Sequence, residues 1–123
     1  MTIRYDIDLK QNVVFMGAYG AISVADLAVA MDEIEALPEI EGHLILVLDL
    51  REIKRAFIVR EMDRLIDLLT SKADLLSSQA FIVSLDTMHG VGRNFALKAL
   101  RKKLHLEVFN DYTAAVNWLK KLG

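Results

Sequence analysis

Leu44-Ile45-Leu46-Val47-Leu48-Asp49-Leu50 is the stretch on which the fold turns. Five apolar residues precede Asp49 without a polar interruption, so neither face of the segment suits water. Such a run, bounded by Gly42 and by Arg51-Glu52, reads as a strand buried on both faces of a parallel sheet. The stretch is too short for a buried helix. Each of these side chains stabilises the fold by roughly 1.5–3 kcal/mol when fully buried.

Upstream, Ile3-Arg4-Tyr5-Asp6-Ile7-Asp8-Leu9 alternates strictly, with Ile3, Tyr5, Ile7 and Leu9 on one face and Arg4, Asp6 and Asp8 on the other. That is a half-exposed strand suited to a sheet edge. Lys10-Gln11-Asn12 makes a turn, and Val13 to Tyr19 returns as the second strand of a hairpin. Gly17 or Gly20 marks a bulge or a close backbone approach there. Ser23 starts the first helix, with Asp26 placed to complete a capping box. Leu27, Met31 and Ile34 form its inner stripe, and Pro38 stops it.

Downstream, Ile58, Met62, Leu65, Ile66 and Leu69 trace a helical stripe opposite Arg60, Asp63, Arg64 and Asp67. Ala80 to Leu85 reads as a second buried strand, which encloses Ser84. Asp86 to Gly92 reads as a loop and Arg93 to Lys103 as a helix. Leu106 to Phe109 is a short strand. Asp111 or Thr113 caps a last helix whose inner face is Tyr112, Ala115, Val116, Leu119 and Leu122. The order is β-β-α-β-α-β-α-β-α. It predicts a single α/β domain over 1–123, with a mixed, mostly parallel five-stranded sheet, four helices, and only the first strand antiparallel.

Composition narrows the function classes. The chain has 123 residues, 54% of them apolar, against roughly 45–50% in ordinary globular domains. Its mean hydropathy is +0.31. This excludes disorder and leaves apolar surface to place, which we assign to a subunit interface and so to a homodimer. A net charge of −2 gives no long-range pull towards nucleic acid or anionic membrane. Without cysteine there are no disulfides, thiolate chemistry or cysteine-ligated metal. No leader-like segment and no membrane-length apolar run stands out, so a cytoplasmic location is expected.

The element order, together with Phe109-Asn110-Asp111, Ala115 and Trp118-Leu119, and a Gly-x-x-Arg-x-Phe step at Gly90, Arg93 and Phe95, resembles the SpoIIAA-like (STAS/SEC14) group of small bacterial proteins. The resemblance implies a STAS-like fold and two lines of function. Anti-sigma factor antagonists of this fold are switched by phosphorylation of a serine just after the central strand. Asp49 to Ala56 holds no serine or threonine, and this departure counts against that role. The SEC14 side implies an apolar ligand cavity.

Ligands of open parallel sheets sit beyond the carboxyl ends of the strands. Those ends carry Asp49, Arg51, Asp86, Thr87, His89, Gly90, Gly92 and Arg93, the candidate ligand- or partner-binding set. Gly90-Val91-Gly92-Arg93-Asn94-Phe95 invites comparison with a dinucleotide loop, and Asp111 stands near the distance of a ribose-binding acid. However, Phe95 replaces the third glycine, and Asp111 is better explained as a helix cap. No cofactor is therefore assigned. The N–H groups at that helix start, with Arg93, suit a phosphate or carboxylate. Asp86 and His89 lack an accompanying nucleophile in a recognisable motif, so no enzyme activity is assigned. His43 and His105 fall at the sheet margin opposite His89, and no metal site is assigned. The basic end Lys98, Arg101, Lys102 and Lys103 lacks interleaved aromatics and reads as a solvated helix end, and Trp118 and Tyr112 read as packing residues. The expectation is a non-catalytic STAS-like interaction or regulatory module. The alternative is a carrier or sensor of a small anionic or lipid-like ligand, bound in the crevice between the loops after the second and third parallel strands.

Overall fold

The computed structural model describes residues 2–53, 59–87 and 92–122. Among these residues the elements are β1 (Thr2–Asp8), β2 (Val13–Gly20), α1 (Val24–Glu35), β3 (Leu44–Ile53), α2 (Val59–Ser71), β4 (Leu76–Ile82), a single helical turn α3 (Leu85–Thr87), α4 (Arg93–Arg101), β5 (Leu106–Phe109) and α5 (Tyr112–Leu122). The five strands form one sheet in the order β1-β2-β3-β4-β5. β1 runs antiparallel to β2, and the other neighbours are parallel.

β3 lies at the centre of the sheet, and both of its faces are covered. Leu44, Leu46, Leu48 and Leu50 belong to one apolar cluster with the buried stripes of α1, α2 and α4. Val47 and Ile45 belong to a second cluster with Ala115 and Leu119 of α5. Among the described residues, three long helices therefore cover one face and α5 alone covers the other. That imbalance positions the site described below.

Local chemistry sets the element ends. Ser23 Oγ accepts from the Asp26 backbone N–H at 3.2 Å, and Asp26 Oδ2 accepts from the Ser23 N–H at 2.8 Å. This is the expected capping box. In the β1–β2 turn, Asp8 Oδ1 accepts from the backbone N–H groups of Lys10 and Gln11 at 3.0 and 3.2 Å, and Asn12 adopts φ 56°. Leu9 falls in this turn and is exposed, so it does not continue the apolar face of β1. Asp111 Oδ1 accepts from the Ala114 N–H at 2.8 Å and caps α5.

Several expectations need correction. β4 begins at Leu76 rather than Ala80 and ends at Ile82 rather than Leu85. The polar residues Ser77-Ser78-Gln79, which precede the expected strand, belong to β4. Ser78 Oγ lies 2.7 Å from His105 Nδ1, and Gln79 Nε2 donates to the Leu76 carbonyl at 3.2 Å. Ser84 and Leu85 consequently lie past the strand and are exposed, and Leu85 opens α3 where a loop was expected. α4 stops at Arg101, not Lys103. Lys103 takes φ 60°, and the Lys103 and Leu104 N–H groups return to the Leu100 and Ala99 carbonyls, closing the helix in a Schellman arrangement. On α5, Ala115 and Leu119 are buried but Tyr112 and Leu122 are exposed. Trp118 packs inward instead, with its ring 5.5 Å from His105 and 5.9 Å from Phe109. Of the α2 stripe, Met62, Leu65, Ile66 and Leu69 are buried, while Ile58 lies outside the described residues.

Candidate functional site

The carboxyl end of β3 is open on one side only. Its pairing with β4 stops at Asp49↔Ile82, whereas its pairing with β2 continues to Gly20↔Ile53. Asp49, Arg51 and Glu52 thus lie within the strand rather than beyond it. Between Gly17↔Asp49 and Tyr19↔Glu52 the register shifts, with the extra residue on β3. The expected bulge is therefore opposite the Gly17–Tyr19 step.

Asp49 fixes this bulge. Its Oδ1 accepts from both the backbone N–H and Nε of Arg51 at 3.0 Å, and Oδ2 accepts from Nη2 at 2.8 Å. Partial burial pushes the Asp49 carboxyl up. The guanidinium hydrogen bonds, the Arg51 N–H and the guanidinium charge outweigh that, and the carboxyl sits below its ordinary value. The side-chain hydrogen bond to Asp49 raises the Arg51 guanidinium, with burial opposing and the charges of Asp49, Glu52 and Asp111 assisting.

Asp49 forms part of a cleft of about 280 Å³ on the α5 face of the sheet. Strand alternation explains its lining. Phe15, Gly17 and Tyr19 share one face of β2, and Val47 and Asp49 share the same face of β3. Across the hairpin, Asp6 opposes Phe15 and Arg4 opposes Gly17. Tyr112, the first residue of α5, supplies the wall, its ring centroid 6.5 Å from that of Phe15. Tyr19 folds over Gly17: a β-carbon at Gly17 would stand 2.8 Å from the Tyr19 hydroxyl. The glycine is thus a close-approach position for an aromatic ring. A second depression of about 470 Å³ lies at the opposite margin, lined by Leu9, Asn12 and residues 39–44, including Glu39, Glu41 and His43.

Of the residues singled out in the sequence, Asp49 lines the cleft and Arg51 binds it. Asp86 is exposed in α3, and Arg93 is the exposed first residue of α4; neither lines the cleft. Thr87 ends α3. Gly92 is buried at the N-cap of α4 with φ −59°, which any residue can adopt. His89 and Gly90 lie outside the described residues. Phe95 is buried and stacks on Phe81 with centroids 5.3 Å apart and planes 20° apart, filling the space a third glycine would leave open. Among the described residues, no group of three or more His, Asp or Glu side chains converges on a point where a metal ion would sit. At the basic end of α4, Lys98 Nζ pairs with Asp63 at 2.8 Å. No described helix is long and apolar enough to cross a membrane.

Arg4, Asp6, Phe15, Tyr19 and Tyr112 were not anticipated at the site. The signal for Arg4 and Asp6 was present in the sequence as the alternation of the first strand. It becomes informative once α5 alone is known to cover that face.

No family model and no curated protein matches the sequence. The fold does match a solved structure: an uncharacterised protein of the DUF3478 family from Shewanella loihica PV-4, described as having a SpoIIAA-like fold. The match has a TM-score of 0.63, covers 95% of this chain and 93% of that one, and is 17% identical. The chain has the SpoIIAA-like fold. This accords with the STAS-like architecture expected from element order.

Proposed function

We propose that this SpoIIAA-like chain is a non-catalytic, cytoplasmic interaction module, and that it receives a side chain of a protein partner in the cleft between β1, β2 and Tyr112. The lining of the cleft carries this reading. The rings of Phe15, Tyr19 and Tyr112 form aromatic walls, and Arg4, Asp6 and Asp49 form a charged rim, a combination that suits a protein anchor. The Asp49–Arg51 pair supports it as well, because each group already satisfies the other and neither is poised for proton transfer. A nucleic-acid or membrane partner is not part of the proposal. Asp86 and Arg93, both exposed after β4, are proposed as a further contact region for a partner.

Two measurements test this. Native mass spectrometry of the purified protein is expected to give the bare chain mass or multiples of it. A co-purifying small molecule lost in Tyr112→Ala would overturn the module reading in favour of a carrier. A photo-crosslinking residue at Tyr112, compared with one at the remote Lys120, is expected to capture one defined protein in the native host. Equal labelling from both positions would refute docking in the cleft.

A further inference from the structure

We propose that β1 is a dimer interface, at which two copies of this chain pair antiparallel through their β1 edges with Tyr5 on the twofold axis. This does not rest on the partner reading of the cleft. It follows from the sequence of an edge strand and from what faces that edge.

β1 spans seven residues, Thr2-Ile3-Arg4-Tyr5-Asp6-Ile7-Asp8, at the end of the sheet order, and among the described residues it pairs with β2 only. An edge strand of this length offers a row of unpaired backbone donors and acceptors. Natural edges are commonly blunted by proline, bulges or charged side chains. β1 contains no proline, its pairing with β2 is regular throughout, and its exposed face carries charges of both signs, Arg4 beside Asp6 and Asp8.

The strand is also complementary to itself. With Tyr5 opposite Tyr5 of the second copy, Ile3 meets Ile7 and Arg4 meets Asp6, each twice by symmetry. A twofold axis perpendicular to the sheet keeps each side chain on its own face. The isoleucines and tyrosines then extend the main apolar cluster, against which Ile3, Tyr5 and Ile7 already pack half-buried. The Arg4–Asp6 pairs lie on the other face, beside the cleft, and the second copy supplies the outer half of its rim. A register centred on Arg4 would oppose two arginines, and one centred on Asp6 would oppose two aspartates. Directly opposed like charges destabilise a pair of strands, so the Tyr5-centred register, which also pairs the full length of β1, is favoured over its two neighbours.

Arg4 and Asp6 are exposed, oppose Gly17 and Phe15 on β2, and among the described residues make no ion pair within the chain. Reversing either charge should therefore leave the fold intact, which far-UV circular dichroism and melting check. Sedimentation velocity of the wild type in the tens-of-micromolar range is expected to show a dimer. Arg4→Asp and Asp6→Arg each create two like-charge contacts and should weaken dimerisation by about tenfold or more. The combined Arg4→Asp/Asp6→Arg chain restores complementarity and should dimerise like the wild type. An equimolar mixture of the two single variants should form the heterodimer. A monomeric wild type, singly reversed variants that dimerise undiminished, or a folded combined variant that stays monomeric would each overturn the proposal.

Discussion

Phe95→Ala probes the contact that separates this chain from a dinucleotide-binding loop. Phe95 is 5% exposed and stacks on Phe81 of β4, itself 2% exposed, so the substitution empties a packed volume between α4 and the sheet. Truncating a buried phenylalanine costs about 3–5 kcal/mol, part of it from the aromatic pair. At roughly 0.05–0.15 kcal/mol per residue, a domain of 123 residues has about 6–18 kcal/mol in total. The variant should thus lose a large fraction of its stability, with its urea midpoint shifted far to the left and its m-value unchanged. Leu97→Ala on the same helix is the control: Leu97 is 54% exposed and should change stability by about 0.5 kcal/mol or less. Phe95→Gly completes the Gly-x-Gly-x-x-Gly spacing from Gly90 and should cost about 1 kcal/mol beyond alanine, without gaining affinity for a dinucleotide. Urea unfolding followed by circular dichroism and by Trp118 fluorescence measures all three. A Phe95→Ala loss no larger than that of Leu97→Ala would refute the packing argument. Dinucleotide binding by Phe95→Gly would refute the reading of the loop.

Three further outcomes are expected. Asp49→Asn should cost under about 1 kcal/mol at neutral pH, because the ion pair is partly exposed. The folded Asp49 carboxyl lies below its unfolded value, so its contribution is fully present above the unfolded value and disappears as pH falls through the folded one. Melting curves of the two proteins should therefore converge in acid, and a constant gap would exclude this origin. Lys103→Gly should stabilise the protein by about 1 kcal/mol, since Lys103 holds φ 60° at the end of α4; an unchanged melting temperature would argue against strain there. Ser23→Ala should cost about 1 kcal/mol through loss of the α1 capping box, seen as a lower urea midpoint.

The fold was legible where one physical cause acts alone. The unbroken run at Leu44–Leu48 admits water on neither face, and β3 lies at the centre of the sheet. Ser23 and Asp111 are caps because their short polar side chains reach the N–H groups of a starting helix. The reading failed where a tertiary partner takes up a polar side chain. Ser78 was left out of the strand because the sequence does not show that His105 stands beside it. The cleft was harder still. Asp49 was found from its place at the end of a strand, but the expected opening towards the loop after β4 depended on where β4 ends. β3 outruns β4 and stays paired with β2, and the cleft that Asp49 lines lies on the sheet face beside the hairpin.

One further step would have located the cleft from topology. Each connection from β2 to β3, β3 to β4 and β4 to β5 moves one place in the same direction across the sheet. Crossovers of one hand that step in one direction all pass over the same face. α1, α2 and α4 must then share a face, and α5, which follows the last strand, is left for the other. Lying over β4 and β5, α5 brings Tyr112 beside Phe15 of β2. Among the described residues, no helix covers β1 on that face. Thr2, Arg4 and Asp6 suit that exposure, and Phe15 packs at the edge of the α5 cluster, whereas Tyr19, 43% exposed, lies over Gly17. That exposed ring is the feature on which the proposed docking cleft draws.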